Sequence, residues 1–389
     1  MKLEQMQWTE LQGWMPPLSS SAVESAQLVL VFGARRVLRN SALIQSIRAR
    51  YREGLLFGCS TAGEICGTRV LDDSLVVTAI DFEHTEVRGA TADVTSTVSS
   101  SEVGEALGTN LPHSVQCAEK DSLDPLVHVL LLSDGSKVNA SDLIRGLVSH
   151  LPAGVCVTGG LAGDGELFGE TFVLTEDIPR AGVIAAVGLY GPRLKVKFGS
   201  MGGWDPFGPD RMITRSQGNI LLELDKRPAL NLYKQYLGDH AQGLPATGLL
   251  FPLSIRMKAG DIAVVRTIMA VNEQQQSLTF AGNIPEGASA RLSKANVERL
   301  IDGAIDAARI CHEPAVTPGP ALAILISCVG RKLVMKQRVE EEIEGIREVL
   351  GDGTMLAGFY SYGEIAPFRA GASCELHNQT MTITTLTET

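Results

Sequence analysis

Three stretches of the sequence run from an apolar strand into a small-residue turn that closes on glycine and an acid. The acids are Glu64, Asp164 and Glu364, and a helical stretch separates each strand from an earlier apolar strand. Strand–helix–strand units bind ligands at the carboxyl ends of their strands. We therefore expect the three acids to rim one ligand pocket. The other residues predicted to line this pocket are Ser60, Tyr360 and Tyr362.

The three acids also have a purely structural alternative. A carboxylate at a tight turn can accept hydrogen bonds from backbone N–H groups, while the neighbouring glycine supplies a positive φ. The pocket interpretation depends on the fact that all three copies keep an acid although their other side chains differ. The sequence leaves both roles open.

An enzyme would need a nucleophile, and the first turn offers Cys59 and Ser60. Segment 58–62 is not a Gly-x-Ser-x-Gly elbow, and the spacing places no His and Asp to complete a triad. Segment 163–169 imitates a phosphate loop only loosely, because the residues after it read as a strand and not as a helix start. No His/Cys cluster has zinc spacing. A Cys- or Ser-dependent enzyme is therefore the weaker alternative.

The elements that position these turns form three similar strand–helix–strand units. The predicted units cover residues 28–59, 126–158 and 321–359, and further strands follow each of them. This pattern predicts an α/β fold with mixed sheets, two domains, and repeated strand–helix–strand units that end in Gly-acid turns. Residues 1–25 read as a tail, since Pro16, Pro17 and a run of serines interrupt regular structure.

Composition limits the class of protein. At 389 residues the chain favours two domains, and 44% hydrophobic with 20% charged residues is typical of a globular protein. A net charge of −10 argues against nucleic acid as a partner. The apolar runs are strand-length and no signal peptide is evident, so we expect no membrane partner. Seven cysteines, an odd number with several in strands, favour the reducing cytoplasm.

Four motifs carry a resemblance to a known family. They are segments 58–65, 159–165, 358–367 and 376–380, and a Leu-Asp-x-x-Pro-Ala turn begins at Leu224. In this order they resemble the FIST family of sensory proteins over about residues 25–389. The resemblance implies a FIST N-like domain at 26–225 and a FIST C-like domain at 226–389, after the tail at 1–25.

The resemblance also implies a function, namely an intracellular signal-input module that binds a small ligand. Some stand-alone family members of this length bind haem, sense nitric oxide and act on a partner histidine kinase or on a cyclic-di-GMP enzyme. The expectation is therefore a cytoplasmic haem-binding sensor that can form homo-oligomers. A metal-free sensor of amino acids or another small metabolite, with its ligand at the Gly-acid rim, is the alternative.

If haem binds, a neutral imidazole is the usual iron ligand. We expect His240 to serve as the metal ligand, because it lies at the predicted domain junction beside glycines and apolar residues, where pockets are common. His312 is the second choice, and Cys311 beside it offers an alternative thiolate. Arg256 and Lys258 are candidates to pair with the propionates.

Overall fold

The computed structural model describes residues 1–20, 23, 25–95, 97–116, 122–258, 263–312, 321–368 and 371–389. The chain forms three repeats of one strand–helix–strand plan, at residues 2–81, 86–190 and 194–388. An inserted β-sheet at residues 205–294 interrupts the third repeat. The predicted α/β class, with mixed sheets and an internal triplication, is confirmed.

The elements follow in chain order, repeat by repeat. The first repeat contains β1 (Lys2–Thr9), β2 (Gly13–Met15), β3 (Leu28–Ala34), α1 (Arg35–Leu38), α2 (Ser41–Arg50), β4 (Leu55–Thr61), β5 (Glu64–Cys66), β6 (Arg69–Leu71) and β7 (Ser74–Asp81). The second contains β8 (Glu86–Asp93), α3 (Ser100–Asn110), β9 (Ser114–Gln116), β10 (Leu123–Ser133), α4 (Ala140–Val148), β11 (Cys156–Leu161), β12 (Val173–Thr175), β13 (Ile178–Arg180) and β14 (Val183–Tyr190).

The third repeat begins with β15 (Leu194–Met201). The insert contains β16 (Asp205–Gln217), β17 (Ile220–Leu224), β18 (Arg227–Pro228), α5 (Ala229–Leu237), β19 (Leu253–Arg256), β20 (Val264–Arg266), β21 (Ile268–Asn272), β22 (Ser277–Phe280) and β23 (Ser289–Lys294). The repeat resumes with α6 (Val297–Cys311), β24 (Ala321–Cys328), α7 (Val329–Met335), α8 (Val339–Leu350), β25 (Thr354–Ser361), β26 (Gly363–Pro367), β27 (Cys374–His377) and β28 (Met381–Glu388).

Three sheets share one strand order. These orders are β1-β7-β3-β4-β12-β13, β8-β14-β10-β11-β26-β27 and β15-β28-β24-β25-β5-β6. In each sheet the central two strands are parallel and flank a crossover helix, while their outer neighbours are antiparallel. The common order shows that the three predicted units are three copies of one larger topology.

The repeats are interlocked by exchange of a hairpin. The hairpin after each Gly-acid turn leaves its own sheet and pairs with the sheet of another repeat: β5–β6 joins the third, β12–β13 the first and β26–β27 the second. Each repeat therefore gives one hairpin and receives one. The three strand ends consequently meet at one place, which is where the predicted pocket residues lie.

The inner faces of the three sheets pack on one central apolar core. Side chains at equivalent strand positions form layers within it, such as Leu30, Leu130 and Ile324, then Phe32, Leu132 and Ile326. Crossover and flanking helices cover the outer faces through apolar residues on their inner sides. Burial of this kind stabilises by about 25 cal/mol per Å² of apolar surface, so the layered core fixes the strand ends that build the site.

Two sequence predictions differ from the structure. The prediction of a tail at residues 1–25 is wrong, because β1 pairs with β7 along its whole length, from Lys2↔Asp81 to Thr9↔Ser74, and Met6 is buried. The boundary at 225/226 separates no packed units, because β16 and β17 before it share a sheet with β22 and β23 after it. Within the described ranges no helix is long and apolar enough to cross a membrane.

Candidate functional site

A polar cleft of about 950 Å³ opens at the carboxyl ends of the central strands. All three repeats line it, with the start of α1, the loop after β11 and the length of α7. Its charged residues are of both signs: Arg35, Arg36, Arg39, Lys332 and Lys336, with Glu64, Asp72, Asp73, Asp164 and Glu166. A cleft of this volume lies within the range of small-molecule sites.

Glu64 lies at the inner end of the cleft and is fully buried. Its carboxyl group accepts hydrogen bonds from the hydroxyl groups of Thr61 and Ser74, the latter at 2.5 Å. Burial disfavours the charged form, so the pKa of Glu64 is raised from 4.5 to about 8 although both hydroxyl groups and Lys332 act in the opposite direction.

Glu364 repeats this arrangement in the third repeat but does not line the cleft. Its carboxyl group accepts hydrogen bonds from the Ser361 hydroxyl at 2.7 Å and from the backbone N–H and hydroxyl of Thr380 at 3.0 and 2.9 Å. Burial again raises its pKa to about 8. The structural alternative, hydrogen bonding at a turn, is therefore the role that Glu364 has here.

Asp164 is not the counterpart of these two glutamates. The strand ends are joined in a ring by equivalent backbone bonds, which are Ala62 N to Tyr360 O, Gly163 N to Ser60 O and Tyr362 N to Leu161 O. Counted from this ring, the second repeat has an additional loop at 164–172 before its hairpin. The residue that takes the place of Glu64 and Glu364 in the ladder is Val173.

Asp164 instead fixes the base of that loop. Its carboxylate lies 3.3 Å from Arg35 Nη1 and accepts the Gly169 N–H at 3.0 Å and the Tyr362 hydroxyl. The Tyr362 hydroxyl also accepts the Phe168 N–H at 3.1 Å, and the two rings stack at 4.5 Å. Burial and this carboxylate raise the Tyr362 pKa well above its usual range. Tyr362 thus supports the cleft from behind.

Ser60 and Tyr360 also lie behind the cleft rather than in it. The Ser60 hydroxyl accepts the Phe172 N–H at 2.9 Å. The Tyr360 hydroxyl donates to Glu342 at 2.6 Å, and Glu342 forms a fully buried ion pair with Arg331 at 2.6 Å. Of the six predicted pocket residues, Glu64 and Asp164 line the cleft, and the other four support its walls.

The cations of the cleft were missed in the sequence. Lys332 Nζ donates to the Ala62 carbonyl at 2.9 Å and pairs with Asp72. A Cβ at Gly63 (φ +138°) would lie 2.5 Å from this Nζ, so glycine is required for the approach. Arg39 rests on the Phe172 ring at 5.3 Å. The sequence did contain a signal for these cations, because they lie in or beside α1 and α7, which directly follow β3 and β24. Crossover helices begin at the strand ends that bind ligands.

A second, apolar cleft of about 220 Å³ lies where the insert meets the loop 164–172. Its walls are Phe168 and the apolar residues of the insert: Leu244, Pro245, Ala246, Leu249, Ile268 and Met269. Glu166 and Leu167 line both clefts. The two cavities are therefore neighbours that share one loop as a wall.

The residues predicted for haem are not brought together. His240 lies exposed on a 3-10 turn (Gly238–Gly243), with its ring 5.3 Å from that of Phe251, and it lines neither cleft. His312 is exposed at the end of α6, and Arg256 is exposed at the end of β19. Burial raises the pKa of Cys311 to about 12, which disfavours a thiolate ligand.

These surroundings do not fit a porphyrin. The cleft lined by Gly243 and Leu244, beside His240 in sequence, has only about 220 Å³ and excludes the imidazole. Across the described ranges, no group of three or more His, Cys, Asp or Glu side chains could hold a metal ion.

Two family models match the chain. The FIST N domain matches residues 27–227 and the FIST C domain matches residues 229–367. No curated protein matches the chain. The solved structure of cyanuric acid hydrolase from A. caulinodans is 6% identical, with a TM-score of 0.35 over 100% of this chain and 98% of that one. With both family models matched over most of its length, the chain belongs to the FIST family, whose domains are generally ligand-binding sensors in signal transduction.

Proposed function

We propose that this protein senses a small zwitterionic metabolite of the amino-acid type, which binds in the polar cleft. The observation that carries the proposal is the set of unpaired charges of both signs. Among the described residues, Arg39 and Lys336 have no carboxylate at ion-pair distance, and Asp73 and Glu166 have no cation at that distance. Arg35 and Lys332, in contrast, already pair with Asp164 and Asp72.

The chemistry of an amino acid suits these free groups. A guanidinium such as that of Arg39 binds a carboxylate with two parallel hydrogen bonds, and an ammonium such as that of Lys336 adds a point charge. The carboxylates of Asp73 and Glu166 can accept the hydrogen bonds of an α-ammonium group. Because these four residues come from all three repeats, a bound ligand would link the repeats to one another.

Calorimetric titration of the purified protein with the common amino acids tests this proposal. We expect one or more to bind, and Arg39→Ala to weaken binding at least tenfold, since a charge-assisted pair contributes about 1.5–3 kcal/mol. The matched control is Arg309→Ala, which removes an exposed arginine of α6 that pairs with Asp306 and lines neither cleft. Equal affinity in Arg39→Ala and in the wild type would reject the cleft as the site.

The output of the sensor is a further part of the proposal and rests on the family resemblance. A ligand that contacts three interlocked repeats shifts them towards one relative pose by its differential affinity. A partner histidine kinase or cyclic-di-GMP enzyme would respond to that pose. Kinase autophosphorylation with and without the ligand, in the presence of the protein, is the direct measurement. Unchanged phosphorylation would rule out that kinase as the partner.

Haem binding with nitric oxide as the signal is the second proposal; the family resemblance alone supports it, since the surroundings of His240 do not fit a porphyrin. The test is an absorption spectrum after reconstitution with haem. A Soret band that is lost in His240→Ala would support this function. Absence of the band in the wild type, together with amino-acid binding by calorimetry, would leave the metal-free sensor as the function.

A further inference from the structure

The shared wall between the two clefts is the tip of the loop 164–172. Glu166 and Leu167 both line the polar cleft and the apolar cleft. Leu167 is 74% exposed, so its side chain is accessible from both clefts. A ligand that extends from one cleft into the other would cover this side chain.

The base of the loop is fixed, so the tip has a defined position. The Tyr362 hydroxyl accepts the backbone N–H groups of Asp164 and Phe168 at 3.2 and 3.1 Å. The Phe168 ring stacks on the Tyr362 ring at 4.5 Å, and Asp164 accepts the Gly169 N–H. These bonds keep both clefts open on the two sides of Leu167.

The lining of the apolar cleft suits a hydrocarbon group of a ligand. Apart from Glu166, its lining consists of aliphatic residues, Phe168, Gly243, Pro245 and Met269. The Leu249 carbonyl is already satisfied, because it accepts a hydrogen bond from Gln379 Nε2 at 3.0 Å. A volume of about 220 Å³ is below the range for a whole ligand and suits a short chain.

We propose that the ligand is amphipathic: its charged head binds in the polar cleft and a short apolar chain passes over Leu167 into the apolar cleft. The inference rests on the proposed function, because it adds a tail to the same zwitterionic ligand. The chemical class is that of α-amino acids with a linear aliphatic side chain. The occupant of the apolar cleft is thus part of the small ligand and not a protein segment.

Titration with a homologous series tests this inference. The probes are alanine, 2-aminobutyrate, norvaline and norleucine, which share one head and differ by single methylene groups. Burial of each methylene contributes about 0.8 kcal/mol, so we expect the affinity to rise about fourfold per carbon until the cleft is full. A series with equal affinities would overturn the inference while leaving the polar-cleft proposal intact.

Two variants separate the roles of head and tail. In Leu167→Ser we expect a smaller gain in affinity per methylene and an unchanged affinity for alanine. In Arg39→Ala we expect the affinity for every member of the series to fall by the same factor. The control is Leu11→Ser, since Leu11 is 98% exposed and lines neither cleft. Binding by no member of the series would overturn the inference, and the proposed function would fall with it only if none of the common amino acids binds either. If the affinity of Leu167→Ser rises as steeply per methylene as that of the wild type, the aliphatic tail of the ligand lies outside the apolar cleft. That result would overturn the inference alone.

Discussion

Glu64 and Glu364 occupy the same position in two of the three repeats, and both carboxyl groups face the central core. Glu64 pairs across the ladder with Phe359, and Glu364 pairs with Gly160. Cross-strand partners project from one face of a sheet, and Phe359 belongs to the central core. The two carboxyl groups are therefore equivalent buried acids, and each is held by hydroxyl groups of its own repeat.

Their position predicts a stability that falls as the pH rises. The folded state holds both protons up to about pH 8, while the unfolded state releases them near pH 4.5, so between these values the folded state binds more protons. We expect Glu64→Gln, which cannot ionise, to gain stability relative to the wild type by about 1.4 kcal/mol per pH unit in this window. Urea unfolding at pH 5.5, 6.5 and 7.5 measures the difference.

The control for this series is Glu10→Gln, whose side chain is 69% exposed in a surface pair with Arg36. Its free energy of unfolding relative to the wild type should be nearly independent of pH. A Glu64→Gln variant that instead loses stability relative to the wild type as the pH rises would mean that Glu64 is ionised in the folded state.

Much of this fold is readable from the sequence because its signals are local. The apolar runs at β3, β10 and β24 and the small-residue turns after β4, β11 and β25 predict three similar units. The exchange of hairpins cannot be predicted from the sequence, because each hairpin pairs with a sheet whose strands lie far away along the chain. The strand β1 was missed because its residues are mostly polar and half-buried at a sheet position that only β7 defines.

The site was predicted less completely for a physical reason. Gly163-Asp164 resembles Gly63-Glu64 in sequence. The ring of backbone hydrogen bonds sets the structural register, however, and the loop 164–172 gives Asp164 a different role. The cations Arg39 and Lys332 read as surface charges, because their proximity depends on how two repeats pack. The acids of the turns could therefore be recognised from residue type, whereas the cations that lie near them depend on tertiary packing.

The buried ion pair between Arg331 and Glu342 is expected to be costly to break. Both side chains are fully buried, and Arg331 also donates to the carbonyls of Gly202 and Leu300. Arg331→Met leaves a buried carboxylate without its cation, so we expect a loss of about 3–5 kcal/mol in the free energy of unfolding. Arg331→Met combined with Glu342→Leu should recover part of this loss.

The exposed pair of Arg338 and Glu341 provides the comparison for this experiment. Their side chains are each 43% exposed, and Arg338→Met should cost less than about 1 kcal/mol in urea unfolding. Similar losses for Arg331→Met and Arg338→Met would mean that the Arg331 pair is solvated rather than buried.

Close strand approach at Gly358 leads to a prediction about packing. A Cβ at this position would lie 1.8 Å from the Leu325 carbonyl oxygen, and one at Gly58 would lie 1.8 Å from that of Val31. Gly358→Ala must separate β24 from β25, so we expect a loss of about 3 kcal/mol in thermal or urea unfolding. Gly353→Ala is the control, because its Cβ meets no atom within 4 Å. Equal stabilities of the two variants would contradict the packing of these strands.

Cys59 is expected to be unreactive in the folded protein, which bears directly on the enzyme alternative. It is fully buried in the central core, and burial raises its pKa well above the usual range, so almost no thiolate forms at neutral pH. Cys156, by comparison, is only half-buried. Labelling with a thiol reagent, followed by peptide mass spectrometry, should modify Cys156 in native protein and Cys59 only in urea. Native labelling of Cys59 ahead of Cys156 would contradict its burial and make a cysteine-dependent reaction at the first turn worth pursuing.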